Sequence, residues 1–277
     1  MRIVFFGTPD FAVASLQRLV EAGQNVVAVV TAVDKPAGRG RKLQPSPVKQ
    51  YAHAQGLPVL QPPNLKAAAF LEELASYQPE LGVVVAFRML PEAVWAMPRQ
   101  GTFNLHASLL PDYRGAAPIN WALINGELRT GATTFMLDHQ IDTGSILLQE
   151  AIDIPTDWNA SDLHDALMQM GAELVLQTVQ GLAAGTLSPQ PQDATLARHP
   201  APKLNKEHTR IDWAQPAQAI HNLVRGLSPY PAAWTTWQGQ PLKIFTTELL
   251  ESTPPQVTLS PGALHYHQAE EVLEVGT

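Results

Sequence analysis

Arg2-Ile3-Val4-Phe5-Phe6-Gly7-Thr8-Pro9-Asp10 opens with an unbroken apolar run and ends in a turn. A short continuous run of this kind reads as a strand buried on both faces, closed by the Gly-Thr-Pro-Asp break. Asp10 is a candidate N-cap for a helix over Phe11–Ala22, where Val13, Leu16, Leu19 and Val20 keep helical spacing and Gly23 is the stop. Asn25–Thr31 is again β-rich, and the theme repeats at Pro58–Leu60, Leu81–Ala86, Thr102–His106 and Gly131–Leu137. Helix-compatible stretches such as Lys66–Ser76 and Ala116–Asn125 lie between them. Strands alternating with helices predict an α/β fold with a Rossmann-like, mostly parallel sheet covered on both faces.

A longer helix is expected over Ala160–Ala183, with Leu163, Leu167, Met170, Leu174 and Val175 turned inward. The composition then shifts. Thr186–Asn205 carries Pro189, Pro191, Pro200 and Pro202 among polar residues and reads as a linker. Beyond it Ile211–Gly226 looks helical, and Pro231–Trp237, Leu242–Leu249 and Gly262–Tyr266 look like strands. The expected division is a first domain at 1–186, a linker at 187–206 and a small β-rich domain at 207–277, of a size at which a core is marginal alone.

The 277 residues include 45% hydrophobic and 16% charged side chains, enough for a packed core. With 18 basic and 25 acidic residues the net charge is −7, which excludes a general basic coat and leaves only local patches for a polyanion. The absence of cysteine excludes disulfides, thiol nucleophiles and cysteine-ligated metals. Met1–Gly7 turns polar too soon for a signal peptide, and no run reaches the roughly 18 apolar residues of a membrane helix. The expectation is a soluble, cytoplasmic protein. Gly7-Thr8-Pro9-Asp10 is not a Gly-x-Gly-x-x-Gly dinucleotide loop, and no Gly-x-x-x-x-Gly-Lys phosphate loop occurs.

Asn104-Leu105-His106 closes a strand before the irregular Ala107-Ser108-Leu109-Leu110-Pro111 turn. Residues two apart on a strand share a face, so an amide and an imidazole stand side by side at the carboxyl end, where open α/β sheets bind ligands. Later, Leu137-Asp138-His139-Gln140-Ile141-Asp142-Thr143-Gly144 follows another apolar strand, and its turn can bring the Asp142 carboxylate to a neighbouring strand end. Each residue alone also has a structural reading. Asn-x-His can be a hydrogen-bonded pair, and Asp142 a turn former.

Seven segments in order resemble the methionyl-tRNA formyltransferases, within the 10-formyltetrahydrofolate-dependent formyltransferase family. They are Gly7–Ala12, Asp34–Gly40, Pro45–Lys49, Asn104–Pro111, Tyr113–Ile119, Ile141–Gly144 and Gly226–Ala232. The resemblance implies the formyltransferase fold with an OB-like C-terminal domain. It implies transfer of a formyl group from 10-formyltetrahydrofolate to the α-amino group of methionyl initiator tRNA, for translation initiation. Catalysis falls to Asn104, His106 and Asp142. Asn104 and a protonated His106 would donate to the oxygen that gains charge, and His106 would protonate the departing N10 amine. Asp142 would favour the imidazolium and position a proton-carrying water. The implied folate contacts are Arg88, Leu90, Ser108, Leu109, Pro111 and Asp138. Phe87-Arg88-Met89-Leu90 departs from the family's usual Tyr-Gly toward an Arg-x-Leu form seen in glycinamide ribonucleotide enzymes. Arg88 has the alternative of a solvated residue at a strand end.

Between Asp34 and Lys49 stand five cations, Lys35, Arg39, Arg41, Lys42 and Lys49, against one carboxylate. A solvated surface loop is one reading. The resemblance favours contact with the tRNA acceptor stem through Arg39, Arg41 and Lys42, joined by Lys203 and Lys206. The family's second domain usually continues past Thr277 with a basic, hydrophobic segment, so an incomplete last β unit and weakened tRNA affinity are expected. No metal is required; His265-Tyr266-His267 lacks a third ligand. A monomer with no membrane partner is expected. The competing readings are formyl transfer to a small amine, such as a nucleotide-linked amino sugar or a purine precursor, and a non-catalytic folate- or tRNA-binding protein.

Overall fold

The structure, a computed structural model, describes residues 1–37, 42–250, 259–267 and 272–277. The chain divides into two compact units. The first comprises Met1–Gly115, Gly131–Ile152 and His164–Pro200. The second comprises Ala116–Thr130, Asp153–Leu163 and Ala201–Thr277.

Up to residue 153 the strands are β1 (Ile3–Gly7), β2 (Val26–Val30), β3 (Lys35–Ala37), β4 (Lys42–Gln44), β5 (Val59–Leu60), β6 (Leu81–Val85), β7 (Thr102–His106), β8 (Arg114–Gly115), β9 (Arg129–Met136) and β10 (Ile146–Asp153). Seven of them form one sheet in the order β10-β9-β7-β6-β1-β2-β5. The pairs from β5 to β7 are parallel, and β9 runs antiparallel to β7. The continuous apolar runs are the reason the parallel strands stay central, because both faces must be covered. Phe5, Phe6 and Phe103 are fully buried, each such side chain contributing about 1.5–3 kcal/mol. Val4, Phe6, Ala28, Val30 and Val84 face one core cluster with Phe70, Leu74, Leu90 and Val94.

The helices of this unit include α1 (Asp10–Glu21), α2 (Pro47–Ala54), α3 (Ala68–Ser76) and α4 (Glu92–Trp95). Phe11, Ala12, Ser15, Leu16 and Leu19 make the buried face of α1. Asp10 is not its cap. Pro9, in extended conformation, holds that position without a side-chain bond, and Asp10 sits in the first turn, where a carboxylate suits the helix dipole. At α2 the cap is Ser46, whose Oγ accepts the Lys49 N–H at 3.1 Å ahead of Pro47.

Three further helices are α5 (Pro118–Ile124), α6 (Ala160–Ala184) and α7 (Ala217–Leu227). Within α6, Leu163, Leu167, Leu174 and Val175 are buried as the spacing predicts, while Met170 is only half-buried. In the second unit Ile211, Ile220, Val224, Leu227 and Ala233 form a small core against Ile124, Leu204, Trp213, Leu223 and Ile244. The helix expected from Ile211 starts only at Ala217, after Pro216. Asp212 turns the chain first, accepting the Ala214 N–H at 3.1 Å, and Ile211 bonds to the Trp234 carbonyl instead. After β11 (Pro200–Ala201), the strands β12 (Ala233–Trp237) and β13 (Gln240–Ile244) pair antiparallel, as do β14 (Leu264–His267) and β15 (Val272–Val275). Among the described residues, no helix is long and apolar enough to cross a membrane.

Candidate active site

The alternation along β7 sends Leu105 into the layer beneath and leaves Asn104 and His106 together on the opposite face. Leu105 lies against α6, where a Cβ at Gly171 would stand 2.7 Å from its Cδ2. Asn104 is half-buried, and among the described residues its side-chain amide takes no hydrogen bond. His106 is 6% exposed and meets Phe135 edge-on at 6.5 Å.

The two nitrogens of His106 have different neighbours. Nε2 lies 2.8 Å from the Tyr113 carbonyl oxygen. A carbonyl only accepts, so Nε2 carries hydrogen. Nδ1 then faces Asp142, with Oδ2 at 3.9 Å. That is too long for a direct hydrogen bond and short enough for a charge interaction whenever the ring is protonated. Asp142 is itself held: its Oδ2 accepts the Gly115 N–H at 2.9 Å, and its carbonyl accepts the Gln192 amide at 2.9 Å. Its φ is +56°, a left-handed conformation that Asp tolerates better than most residues. Gly144 closes the same loop where no side chain fits, since a Cβ would come within 1.7 Å of the Met136 carbonyl oxygen.

The backbone that holds His106 and Asp142 is the turn from Asp112 to Gly115. Tyr113 has φ +58°, a strain of about 1–3 kcal/mol that only dense local contacts sustain. Asp112 supplies several of them. Its Oδ1 accepts the Arg198 N–H at 3.0 Å and the His199 N–H at 2.6 Å, and its Oδ2 accepts His199 Nδ1–H at 3.0 Å. Burial works against the Asp112 charge, but the backbone and ring hydrogen bonds from His199, with that from Arg198, outweigh it and hold the carboxyl below the usual carboxylate range. Tyr113 N–H donates to the His199 carbonyl at 2.8 Å, and the two rings stack at 5.2 Å. Behind the turn, Thr133 Oγ1 donates to the Ser108 carbonyl at 2.6 Å and accepts the Leu110 N–H at 3.1 Å.

The remaining expected residues fall in several places. Ser108 is fully buried and donates to the Asp112 carbonyl at 2.7 Å. Pro111 is buried and Leu109 half-buried in the same turn. Leu90 is buried and belongs to the core cluster that includes Val84 and Val94. Arg88 is exposed. Its guanidinium donates to the Pro62 and Pro63 carbonyls and lies 5.7 Å from the Phe87 ring centre. Asp138 is exposed and stitches its loop, accepting from Gln140 N–H and Thr143 Oγ1, both at 2.9 Å. Among the described residues, no three His, Asp or Glu side chains are arranged to hold a metal ion.

Of the cationic candidates, Arg39 and Arg41 lie outside the described residues, and the Lys42 backbone pairs with Ala37. Lys49 is engaged: its ammonium donates to Asp34 at 2.7 Å, and Gln61 and Lys49 hold that carboxyl below its usual range. Lys203 is exposed. In the second unit Lys206 lies 5.0 Å and Arg210 5.7 Å from the Trp234 ring centre, beside a groove of about 500 Å³ that Lys243 also lines.

Asp112, Tyr113, Gln192 and His199 complete this constellation without a mark in the local sequence. The segment expected to be a linker is hydrogen-bonded to the site: besides His199, Gln192 Nε2 also reaches the Gly144 carbonyl at 2.8 Å, and its Oε1 accepts from Arg114 at 2.6 Å. Partnerships across such distances in sequence leave no local signal.

An amide, an imidazole and a carboxylate stand together at the carboxyl end of a mostly parallel sheet, where open α/β sheets bind ligands. Residues 1–179 match the Formyl transferase family and residues 203–277 the Formyl transferase, C-terminal domain family, and the chain belongs to the formyl transferases. Among curated relatives, a methionyl-tRNA formyltransferase of Bacteroides fragilis is 53% identical, covering 95% of this chain and 83% of its own. One from Parabacteroides distasonis is 55% identical, covering 96% and 84%. A solved N-formyltransferase from Helicobacter canadensis, in complex with folinic acid and dTDP-3-aminofucose, superposes with a TM-score of 0.73 at 20% identity, over 99% of this chain and 94% of its own. HypX from Aquifex aeolicus, in complex with tetrahydrofolic acid, gives a TM-score of 0.66 at 20% identity, over 94% and 40%. At such identities these two show the shared fold.

Proposed function

We propose that this chain transfers the formyl group of 10-formyltetrahydrofolate to the α-amino group of methionyl initiator tRNA. The single observation that carries the chemistry is the orientation of His106, with Nε2 on the Tyr113 carbonyl and Nδ1 toward Asp142, beside an Asn104 amide that takes no hydrogen bond among the described residues. The acceptor is argued from relatives more than half identical over most of their length, all carrying the same name.

The neutral α-amine, whose conjugate acid has a pKa of about 7.7–8.0, attacks the formyl carbon. The new C–N bond forms as the carbonyl π pair moves onto oxygen. Asn104 donates an N–H to that oxygen without titrating. His106 then delivers the proton on Nδ1 to N10 as the C–N10 bond breaks, so that the donor leaves as a neutral amine. Asp142 stabilises the imidazolium beforehand and takes up, through water, the proton released by the attacking nitrogen. The scheme asks nothing of a metal.

In this reading Arg88, the Leu90 backbone, Ser108, Leu109, Pro111 and Asp138 border the folate. Arg39, Arg41, Lys42, Lys203 and Lys206 contact tRNA phosphates. The catalytic domain is 1–186, with 187–206 a linker whose first part, to Pro200, packs with the first unit, and 207–277 a domain that assists tRNA binding. The enzyme acts in the cytoplasm as a monomer.

The test is a filter assay with labelled formyl donor. Methionine-charged initiator tRNA, an elongator control and a nucleotide-linked amino sugar are offered as acceptors. Selective labelling of initiator tRNA is expected. Transfer to the amino sugar alone would overturn the proposed acceptor, and transfer to neither would overturn the proposed activity.

A further inference from the structure

His106 needs one tautomer. Its Nδ1 must be the nitrogen that exchanges a proton at the reaction centre, and that holds only while Nε2–H is committed elsewhere. The commitment is a single bond to the Tyr113 carbonyl. Tyr113 is in the left-handed region, so the direction of that carbonyl depends on what holds the turn.

We propose that His199 and Asp112 are positioning residues for formyl transfer, fixing the His106 tautomer through the Tyr113 carbonyl; the inference rests on the reading of His106 as the general acid. Three observations support it. His199 Nδ1–H and the N–H groups of Arg198 and His199 converge on the Asp112 carboxylate. The His199 carbonyl takes the Tyr113 N–H at 2.8 Å while its ring stacks on the Tyr113 ring at 25°. The same turn ends at Gly115, whose N–H holds Asp142 Oδ2 at 2.9 Å. One clamp therefore sets both neighbours of the imidazole. In this reading neither His199 nor Asp112 meets the reacting atoms. Their effect is on orientation, where an ångström matters by orders of magnitude in rate.

The test compares His199→Ala and His199→Asn in the intact protein, with nitrogen-15 NMR of labelled histidines. The His106 signals are assigned by difference from His106→Gln. In the unsubstituted protein the neutral form of His106, recorded at alkaline pH, is expected as the Nε2–H tautomer. His199→Ala is expected to lower kcat on the order of 10- to 100-fold, with KM for the formyl donor little changed, and to mix the His106 tautomers. Asparagine places an amide nitrogen where Nδ1 lies, two bonds from Cβ, so His199→Asn is expected to restore most of kcat and the single tautomer. Unchanged kcat and tautomer in His199→Ala would overturn the proposal. So would a loss of kcat with the tautomer intact, or an Nδ1–H tautomer in the unsubstituted protein. Should the alanine variant fail to fold, His199→Phe keeps a ring against Tyr113 without the donor and carries the same comparison. His106→Gln separates the two readings: full turnover there would remove the general-acid assignment itself, whatever the tautomer.

Discussion

Replacing Asp142 by Asn removes one charge, and with it the proton acceptor proposed for the attacking amine, while leaving the loop geometry in place. Asn accepts the left-handed backbone at φ +56°, and its amide oxygen can keep the Gly115 N–H. What disappears is the attraction between a carboxylate and an imidazolium whose nitrogen lies 3.9 Å away. Coulomb's law at that distance gives about 1 kcal/mol in water and about 4 kcal/mol at the effective dielectric of a partly buried pair. With the Asp142 and His106 side chains only 15% and 7% exposed, the upper part of that range applies. The expected loss in kcat is therefore roughly 10²- to 10³-fold. The KM for tRNA should stay unchanged, because the charge sets how much of the acid is protonated and makes no contact with tRNA. Single-turnover formyl transfer, with a melting curve to confirm folding, measures it. A kcat within about threefold of the parent would refute the argument, since a charge at this distance cannot then be stabilising the acid.

Asn104→Ala should lower kcat by about 10²–10³, the cost of one oxyanion donor, with initiator tRNA binding intact in a filter titration. Gly144→Ala must push a Cβ against the Met136 carbonyl, so a loss of about 1–3 kcal/mol in urea unfolding is expected, as for other overpacked sites. Lys203→Ala should reduce the salt slope of tRNA binding by up to about one, whereas Lys49→Ala should leave it unchanged, because that ammonium is committed to Asp34. The depressed carboxyl of Asp112 stabilises the fold fully above its unfolded value, near 3.9, and the contribution is lost as pH falls through the lower folded value. The stability difference between the parent and Asp112→Asn in acid titrations should accordingly be full near neutrality and vanish at low pH.

Much of this architecture is legible in the chain itself. The strand over Thr102–His106 is found as the alternation predicts it, because Phe103 and Leu105 must be buried while Asn104 and His106 face the other way. The strand at Ile146–Asp153 escapes such a reading: it sits at the edge of the sheet with mixed exposure, so no apolar run marks it. Pro216 moves the start of α7 to Ala217, although apolar spacing runs on from Ile211. Asp142 is visible as a carboxylate in a turn, but not the 3.9 Å that makes it matter. Asp112 and His199 stand 87 positions apart, and no periodicity links them. Local propensity writes strands and helices; the site is completed by hydrogen bonds that only the folded chain brings about.

Gly171 is remote from the reacting groups, yet the helix it belongs to presses on Leu105, the residue between the amide and the imidazole. A methyl group there would lift the strand from beneath and tilt both functional side chains together. The back of the sheet is thus a lever on the front. Variation at this buried glycine offers a way to retune turnover while leaving every group that meets substrate unaltered.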